Sequence, residues 1–325
     1  MNRNKAIIQK ITSINAILIY LSLFKFILLL LFASNYGIFR DEYYYIATSK
    51  HLAFGYVDVQ PLSAILLAIS RFIFGDSIFG IRIFAYIAGS IIVFVTGLIA
   101  RELGGSKFAQ ISSAFVVIFC GVVLGATSYF SMNSFDILLS TLMFYYLIKL
   151  INSGNSKLWI VVGLLFGIGL ENKLSFLFLG FGLVVGLVLT KYRKQLKVKE
   201  LWIGVALALI IFLPNLIWQV VNNYPTLEFI HNASMYKNRP MGLFGFFIAS
   251  IFELNPGYTL FIFTGLYFLF FSPQGKKYII LGWFYLAVFF VFAFNNGKPY
   301  YMGVLYPMIL ATGVIGADEL IIKYN

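Results

Sequence analysis

Two adjacent carboxylates, Asp41 and Glu42, follow the first long apolar run of the chain and stand beside Arg40. The sequence holds only 12 acidic residues among 325, so a pair of them at the end of an apolar segment needs a reason. One interpretation is structural, because an acid near the N-terminus of a helix beginning at Tyr43 would be stabilised there. The other is chemical, and it makes this pair the first candidate for a functional site.

Other ionisable residues also stand at the ends of apolar runs, where a charge is costly unless it is paired or faces a water-filled cavity. Asp136 either caps the helix that starts beside it or faces such a cavity. Glu171 and Lys173 either pair with each other or serve a site. Arg82 either reaches the outer interface or holds a phosphate. Lys298 has the same two interpretations, as an interfacial anchor or as a phosphate contact.

Composition decides the class of protein in which these residues work. With 61% hydrophobic, 19% aromatic and 11% charged residues, the chain has too little charge to cover a water-facing surface. Apolar runs of the roughly 20 residues that a bilayer span needs recur from Ile14 to Ile315, and about ten spans fit. The single cysteine, Cys120, lies inside an apolar run and provides neither a disulfide nor a cysteine metal site. The expected fold is an all-α integral membrane bundle.

The basic residues give the bundle an orientation. The N-terminal segment carries Arg3, Lys5 and Lys10 and has no small-residue cleavage site, so we interpret it as cytoplasmic, followed by a retained first span. Most of the 24 Lys and Arg residues then fall in segments assigned to the cytoplasm. Topology therefore explains the net charge of +12, and no nucleic-acid partner is expected. The run from Lys191 to Lys199 is expected to meet anionic lipid heads.

Alternation across the membrane places the outer loops at about 35–75 and 219–240. The fifth span is short and Gly-rich, so it is expected to be tilted or broken, and Pro256 is expected to kink the eighth. The predicted spans are about 14–34, 77–100, 108–126, 132–150, 158–170, 174–190, 200–218, 241–271, 278–294 and 301–316.

The first outer loop contains apolar stretches too short or too polar to cross a bilayer, and we expect them to lie flat in the interface. Pro61 is the predicted start of a helix that runs to Phe74. Its apolar residues recur at helical spacing, with Ser63, Ser70 and Arg71 off that face. The apolar positions are Leu62, Ile65, Leu66, Ile69, Phe72 and Ile73.

A set of short motifs occurs in order along nearly the whole chain. The motifs are Asp41–Ile46, Gly55–Leu62, Phe74–Ser77, Ile81–Arg82, Leu98–Gly105, Ser131–Asp136, Gly163–Lys173 and Gly297–Pro307. Together they resemble the family 39 glycosyltransferases, which include the dolichyl-phosphate-mannose protein mannosyltransferases and the bacterial lipid A aminoarabinose transferases. The resemblance implies the C-type glycosyltransferase (GT-C) fold, a bundle of spans with interfacial helices in the first outer loop.

The same resemblance implies an enzyme that takes a sugar from a polyprenyl-phosphate donor and passes it to a lipid, glycan or protein acceptor. A polyprenyl phosphate leaves readily, so the site mainly needs a base for the acceptor hydroxyl and cations for the phosphate. The base maps onto Asp41, which Arg40 should keep ionised. Glu42 and Asp136 complete the predicted catalytic set, and attack opposite the phosphate implies inversion at the anomeric carbon.

The predicted substrate-binding residues are the cations Arg82, Lys173 and Lys298, together with Tyr44 and Tyr301. Tyr301 also has a simpler interpretation as part of the aromatic belt.

Cofactors are not required by this chemistry. A divalent metal beside the site remains an alternative suggested by some relatives, with Glu42 and His231 as its candidate ligands, although no paired histidine spacing indicates a protein-made zinc site.

The organisation expected is one transmembrane domain over residues 1–325, with its catalytic loop at about 35–75 and no C-terminal soluble domain. Abundant Ile, Lys and Asn suggest an AT-rich prokaryote and hence the plasma (inner) membrane. Two other functions are compatible with a cationic outer cavity: a lipid-linked sugar transporter or flippase, and a non-catalytic membrane assembly protein. The absence of a second Asp-Glu loop disfavours a transporter built from inverted repeats.

The predicted topology is testable by cysteine labelling. After replacement of Cys120, single cysteines within 35–75 and 219–240 should react with an impermeant reagent added from outside the cell. Cysteines within 101–107 and 191–199 should react only after the membrane is opened. Labelling of position 195 from outside alone would overturn the orientation and every site assignment based on it.

Overall fold

A computed structural model describes residues 13–236 and 240–324, and every regular element in that part of the chain is helical. Four short 3₁₀ helices join the α-helices, at Lys191–Lys197, Pro256–Tyr258, Gly275–Tyr278 and Pro299–Leu305. The α-helices are α1 (Ile14–Leu31), α2 (Arg40–Lys50), α3 (Pro61–Phe74), α4 (Ile78–Glu102), α5 (Lys107–Ile118), α6 (Gly121–Ser128), α7 (Met132–Ser153), α8 (Leu158–Leu170), α9 (Phe176–Val188), α10 (Lys199–Val221), α11 (Pro225–Tyr236), α12 (Gly242–Leu254), α13 (Thr259–Phe271), α14 (Ile279–Phe294) and α15 (Tyr306–Tyr324).

The helices are those of a multi-pass membrane protein. Within the described residues, six helical segments are long and apolar enough to cross a bilayer, and three bent pairs raise the number to as many as nine. The shorter apolar helix α8 coincides with the predicted fifth span. All ten predicted spans therefore contain apolar helix, but two of them, the third and the eighth, are bent sharply.

The predicted third span is not continuous, and that prediction is wrong in this respect, whereas the predicted bend of the eighth span at Pro256 is confirmed. α5 and α6 meet at an angle of 56°, and α12 and the segment Pro256–Phe271 meet at 103°. At the second break Asn255 has φ 130°, outside the helical region, and Pro256 lacks the N–H that a continuing helix would use. The result is a change of direction near a right angle, much larger than the predicted kink.

The predicted sixth span ends at α9, after which the basic segment Lys191–Lys197 turns away by 112°. The fifth span, α8, is short but unbroken, and its glycines serve close packing instead. A Cβ added at Gly163 would lie 2.2 Å from the carbonyl oxygen of Gly204 on α10. Glycine at that position lets two helix backbones approach each other.

The two helices expected in the first outer loop are present as α2 and α3, and Pro61 is the first residue of α3 as predicted. Helix α3 buries small and polar residues against the protein, including Ser63, Ala64 and Ser70. Its large apolar residues face outward, with Phe72 92% exposed. This arrangement fits a helix that lies in the interface with its apolar face toward lipid.

Helix α4 is the central element that positions the site. It packs on α1, α3, α5, α7 and α15, and most of its length is buried. The 3₁₀ helix Pro299–Leu305 packs on α7, α12 and α15. The segments carrying the predicted site residues therefore meet at one end of the bundle.

Candidate active site

The core of the site is a buried ion pair between Glu42 and Arg82. Glu42 stands in the first turn of α2, is fully buried, and accepts from Arg82 through both oxygens, at 2.8 Å from Nε and 2.7 Å from Nη2. Its carboxylate also accepts from the backbone N–H groups of Phe39 at 2.7 Å and Phe130 at 2.9 Å. Such a bidentate charge-assisted arrangement is among the strongest polar contacts in proteins.

Arg82 is committed to protein partners. Besides Glu42, its guanidinium donates to the carbonyl oxygens of Ala33 at 2.9 Å and Gly37 at 2.8 Å. The side chain is only 5% exposed. Its geometry therefore fits a residue that fixes the loop before α2, and it offers little to the donor phosphate for which Arg82 was a candidate.

Asp41 is turned away from this pair. Successive residues of a helix are about 100° apart around its axis, so burying Glu42 directs its neighbour elsewhere. The Asp41 side chain is 49% exposed and accepts from Arg40 Nε at 3.1 Å. Helix α2 begins at Arg40 and not at Tyr43, and the side chain that accepts from the N–H of Phe39, the residue before the helix, is that of Glu42. The Asp41 carboxylate is therefore accessible to a bound substrate or to solvent.

Tyr45 links Asp41 to the rest of the site. It is buried one turn after Asp41, its hydroxyl accepts from the backbone N–H of Met132 at 3.3 Å, and its ring packs edge-on against Phe130. Burial raises the pKa of Tyr45, and the nearby carboxylates of Asp41 and Asp58 act in the same direction. The substrate-binding candidate Tyr44 instead donates its hydroxyl proton to Asp58.

A second group of side chains surrounds Lys173, in the turn between α8 and α9. Its Nζ donates to Asn133 Oδ1 at 2.9 Å and lies 3.7 Å from Asp136 Oδ2. It also lies 4.3 Å from the ring centroid of Tyr301, within the range of a cation–π contact. Asp136 and Tyr301 therefore hold Lys173 in place.

Lys298 brings a second ammonium group to the same place. Its Nζ is 5.9 Å from the Tyr300 ring centroid, and Lys173 Nζ is 5.6 Å from that same centroid. Burial lowers the pKa of Lys173, Asp136 opposes that change, and the charge of Lys298 adds to it. Burial raises the pKa of Tyr300, and the neighbouring Tyr301, Tyr129 and Tyr45 act in the same direction. The two lysines thus share one site at the Tyr300 ring.

The turn that carries Lys173 is fastened to the first outer loop. The N–H of Leu62 donates to the carbonyl oxygen of Glu171 at 2.9 Å, and the N–H of Leu174 donates to Gln60 Oε1 at 3.2 Å. Pairing of Glu171 with Lys173 is not found among the described residues, where Lys173 pairs with Asp136 instead. Burial raises the pKa of Glu171 to about 7, so this carboxyl is easily protonated near neutral pH.

Two cavities border the site. An apolar cavity of about 680 Å³ lies between α1, the loop before α2 and the α5–α6 join, and Arg40, Arg82 and Tyr129 are on its wall. A small cavity of about 10 Å³ is lined by the Lys173 group, enough for about one water molecule. Helix α6 contributes side chains to both cavities and separates them.

The geometry gives little support to the suggested metal site. Within residues 13–236 and 240–324, no three His, Cys, Asp or Glu side chains are grouped to hold a metal ion. Both oxygens of Glu42 already accept two hydrogen bonds each. His231 is exposed on α11. Lys237 and Arg239, which the sequence offers as the next candidates for the phosphate if Arg82, Lys173 and Lys298 do not bind it, lie outside the described residues.

Sequence reasoning overlooked Tyr45 and Asn133 as parts of the site. Tyr45 stands four residues after Asp41, a spacing that places two side chains on one face of a helix. Asn133 belongs to a motif that pointed to Asp136. Both signals were present in the sequence, but only the fold shows that α2, α7 and the α8–α9 turn meet.

Comparisons with known proteins can be judged against this geometry. Residues 58–218 match the family described as dolichyl-phosphate-mannose-protein mannosyltransferase. The predicted resemblance is confirmed. The chain is also 26% identical over 121 residues to the undecaprenyl phosphate-alpha-4-amino-4-deoxy-L-arabinose arabinosyl transferase of Pseudomonas savastanoi pv. phaseolicola, a stretch covering 36% of this chain and 23% of that one.

Solved structures confirm the GT-C fold. ArnT from Cupriavidus metallidurans superposes in its apo state with a TM-score of 0.67 and 18% identity, over 81% of this chain and 50% of that one. The same enzyme bound to undecaprenyl phosphate superposes with a TM-score of 0.64 and 19% identity, over 82% of this chain and 50% of that one. The Archaeoglobus fulgidus oligosaccharyltransferase superposes with a TM-score of 0.61 and 13% identity, over 96% of this chain and 49% of that one. The chain thus spans about half the length of these structures and a quarter or less of the curated relative.

The buried pair leads to a prediction about stability. Replacing Glu42 by Gln leaves the Arg82 cation buried without its counter-charge, so the free energy of unfolding should fall by about 3–5 kcal/mol. The matched control is Arg40→Gln, which removes the exposed ion pair to Asp41 and should cost less than about 1 kcal/mol. Denaturant unfolding of the purified protein in detergent, followed by tryptophan fluorescence, measures both. Equal losses in the two variants would contradict the structural role of Glu42.

Proposed function

We propose that this chain is a membrane glycosyltransferase that moves a sugar from a polyprenyl-phosphate donor to an acceptor on the extracytoplasmic side, with Asp41 as the base. The observation that carries the proposal is the different placement of the two adjacent acids, Asp41 and Glu42. Glu42 is fully buried and bonded to Arg82, whereas Asp41 is half exposed beside Arg40. One acid is therefore available for proton transfer, and the other builds the loop that presents it.

The donor phosphate is assigned to Lys173 and Lys298. Both ammonium groups approach the Tyr300 ring, and their mutual repulsion would be relieved by an anion between them. Asp136, Asn133 and Tyr301 orient Lys173. Asp136 is thus proposed as a positioning residue and not as a second catalytic acid.

The relatives support the class of donor. ArnT has been solved bound to undecaprenyl phosphate, and the curated relative is by name a transferase that uses an undecaprenyl phosphate sugar.

The apolar cavity of about 680 Å³ next to Arg40 has walls suited to a hydrocarbon chain. Among lipid, glycan and protein acceptors, this cavity favours a lipid.

The proposed step is a single displacement. The acceptor oxygen attacks the anomeric carbon while its proton passes to an Asp41 carboxylate oxygen. The bond from that carbon to the phosphate oxygen breaks, and the electron pair leaves with the polyprenyl phosphate, whose growing charge Lys173 and Lys298 stabilise. Attack from the face opposite the phosphate inverts the anomeric configuration. The distribution of basic residues supports an N-terminus in the cytoplasm, and the abundance of Ile, Lys and Asn supports the plasma (inner) membrane of a prokaryote.

The function is tested by incubating the purified protein in lipid vesicles with radiolabelled polyprenyl-phosphate sugars and membrane extract. Label should move from the donor to a lipid, glycan or protein fraction. Movement of intact donor across the vesicle membrane without transfer would indicate the transporter alternative. Neither transfer nor transport with any donor would support the assembly-protein alternative.

Replacement of Asp41 by Asn tests the base directly. Asparagine keeps the size but cannot take up the acceptor proton, so the single-turnover rate should fall by about 10²-fold or more. Donor affinity should not decrease, because removal of a negative charge cannot weaken attraction for a phosphate. Both quantities are measured on one preparation. A near-normal rate would remove Asp41 from catalysis, and a smaller amount of folded protein with a normal rate per folded molecule would reveal a purely structural role.

Replacement of Lys173 or Lys298 by Met tests the phosphate assignment. Loss of one charged hydrogen bond should weaken donor binding by about 1.5–3 kcal/mol, or roughly tenfold to a hundredfold. Lys149→Met is the matched control, since Lys149 also stands over a tyrosine ring, 5.7 Å from the centroid of Tyr145, but near the other end of α7. Isothermal titration with a short-chain polyprenyl phosphate gives the affinities. Wild-type affinity in both site variants would place the phosphate elsewhere.

A further inference from the structure

Lys25 occupies an unusual place for a charged residue. It lies in the middle of the membrane-spanning helix α1 and has no exposed surface. Its Nζ donates to the carbonyl oxygen of Ile118 at 3.0 Å. A lysine inside a span is costly unless it is paired or lines a cavity, so this contact calls for a reason.

The bonded carbonyl lies at the break between α5 and α6. In a continuous helix the oxygen of Ile118 would accept from the N–H of Val122, four residues later. The 56° bend between α5 and α6 ends that pattern. Lys25 supplies a donor at the C-terminus of α5, where the helix dipole also favours a cation.

Helix α6 connects this break to the candidate active site. Its eight residues run from Gly121 to Ser128, and Phe130 follows, whose N–H donates to Glu42. Leu124 and Ser128 line the large apolar cavity, whereas Val122 and Ala126 line the small cavity beside Lys173. The direction of α6 therefore sets the boundary between the two cavities.

Small changes at the break would be magnified at the site. An eight-residue helix is about 12 Å long, so a rotation of about 10° at its start moves its end by about 2 Å. A misplacement of about 1 Å at a reacting group can cost about a hundredfold in rate. Packing at the start of α6 is close, since a Cβ at Gly121 would lie 2.7 Å from the carbonyl oxygen of Glu253.

We propose that Lys25 is a positioning residue: by donating to Ile118 it fixes the break between α5 and α6, and so the direction of the helix that separates the two cavities beside the candidate active site. The functional half of this inference rests on the proposed transferase activity. The structural half does not, because the break contains a natural reporter. Cys120, the single cysteine of the chain, lies at the break with no exposed surface.

The test follows the rate at which N-ethylmaleimide labels Cys120 in the full-length protein. Lys25→Met keeps the length and removes the donor, and labelling of the folded protein should accelerate by about tenfold, the order of one lost buried hydrogen bond. Lys25→Gln retains a shorter N–H donor and should label at an intermediate rate. Ser22→Ala is the matched control, because Ser22 also donates from α1 to a carbonyl, that of Ser90 at 2.7 Å, but away from the break.

The proposal is supported if the labelling rate rises from wild type through Lys25→Gln to Lys25→Met, while Ser22→Ala labels at the wild-type rate. If the Met variant does not fold, the comparison of labelling rates between Lys25→Gln and the wild type decides the question. Unchanged labelling, or equal acceleration by Ser22→Ala, would overturn it. Transfer per folded molecule should fall by about tenfold in Lys25→Met and recover in part in Lys25→Gln. A wild-type protein that transfers no sugar would refute the proposed function, while labelling would still decide the role of Lys25.

Discussion

The ion pair between Glu42 and Arg82 is the interaction on which the site depends. Through four hydrogen bonds to one carboxylate it joins α2, α4, the residue before α2 and the segment between α6 and α7. A buried pair of this kind costs desolvation and is strongly destabilising when one partner is lost. Its value here is geometric, because with Glu42 held inward the neighbouring Asp41 must face outward.

The other parts of the proposed site come from different elements of the bundle. The cations that suit a phosphate come from the α8–α9 turn and from the residue before the 3₁₀ helix Pro299–Leu305, and α6 stands between them and the large apolar cavity. A carboxylate, two lysines and an apolar space match what transfer from a polyprenyl phosphate requires.

Much of the fold was predictable from local signals. Span-length apolar runs located the helices, and Pro61 marked the start of α3. Pro256 marked the bend after α12, but the break between α5 and α6 was not predictable, because its partner is distant in the sequence: Lys25 contacts Ile118 across 93 residues, and no local pattern predicts that contact. For the site, the Asp-Glu pair and Lys173 were found from their positions at membrane boundaries. The division between Asp41 and Glu42, and the pairing of Lys173 with Asp136, required contacts over about 40 residues.

The most direct measurement of the central claim is an experimental structure of the protein with a non-transferable polyprenyl-phosphate sugar analogue. We expect phosphate oxygens within about 3 Å of the Lys173 and Lys298 ammonium groups. We also expect the anomeric carbon to face the Asp41 carboxylate, with space for one acceptor oxygen between them. A phosphate held away from both lysines, or a sugar whose anomeric carbon faces away from Asp41, would contradict it.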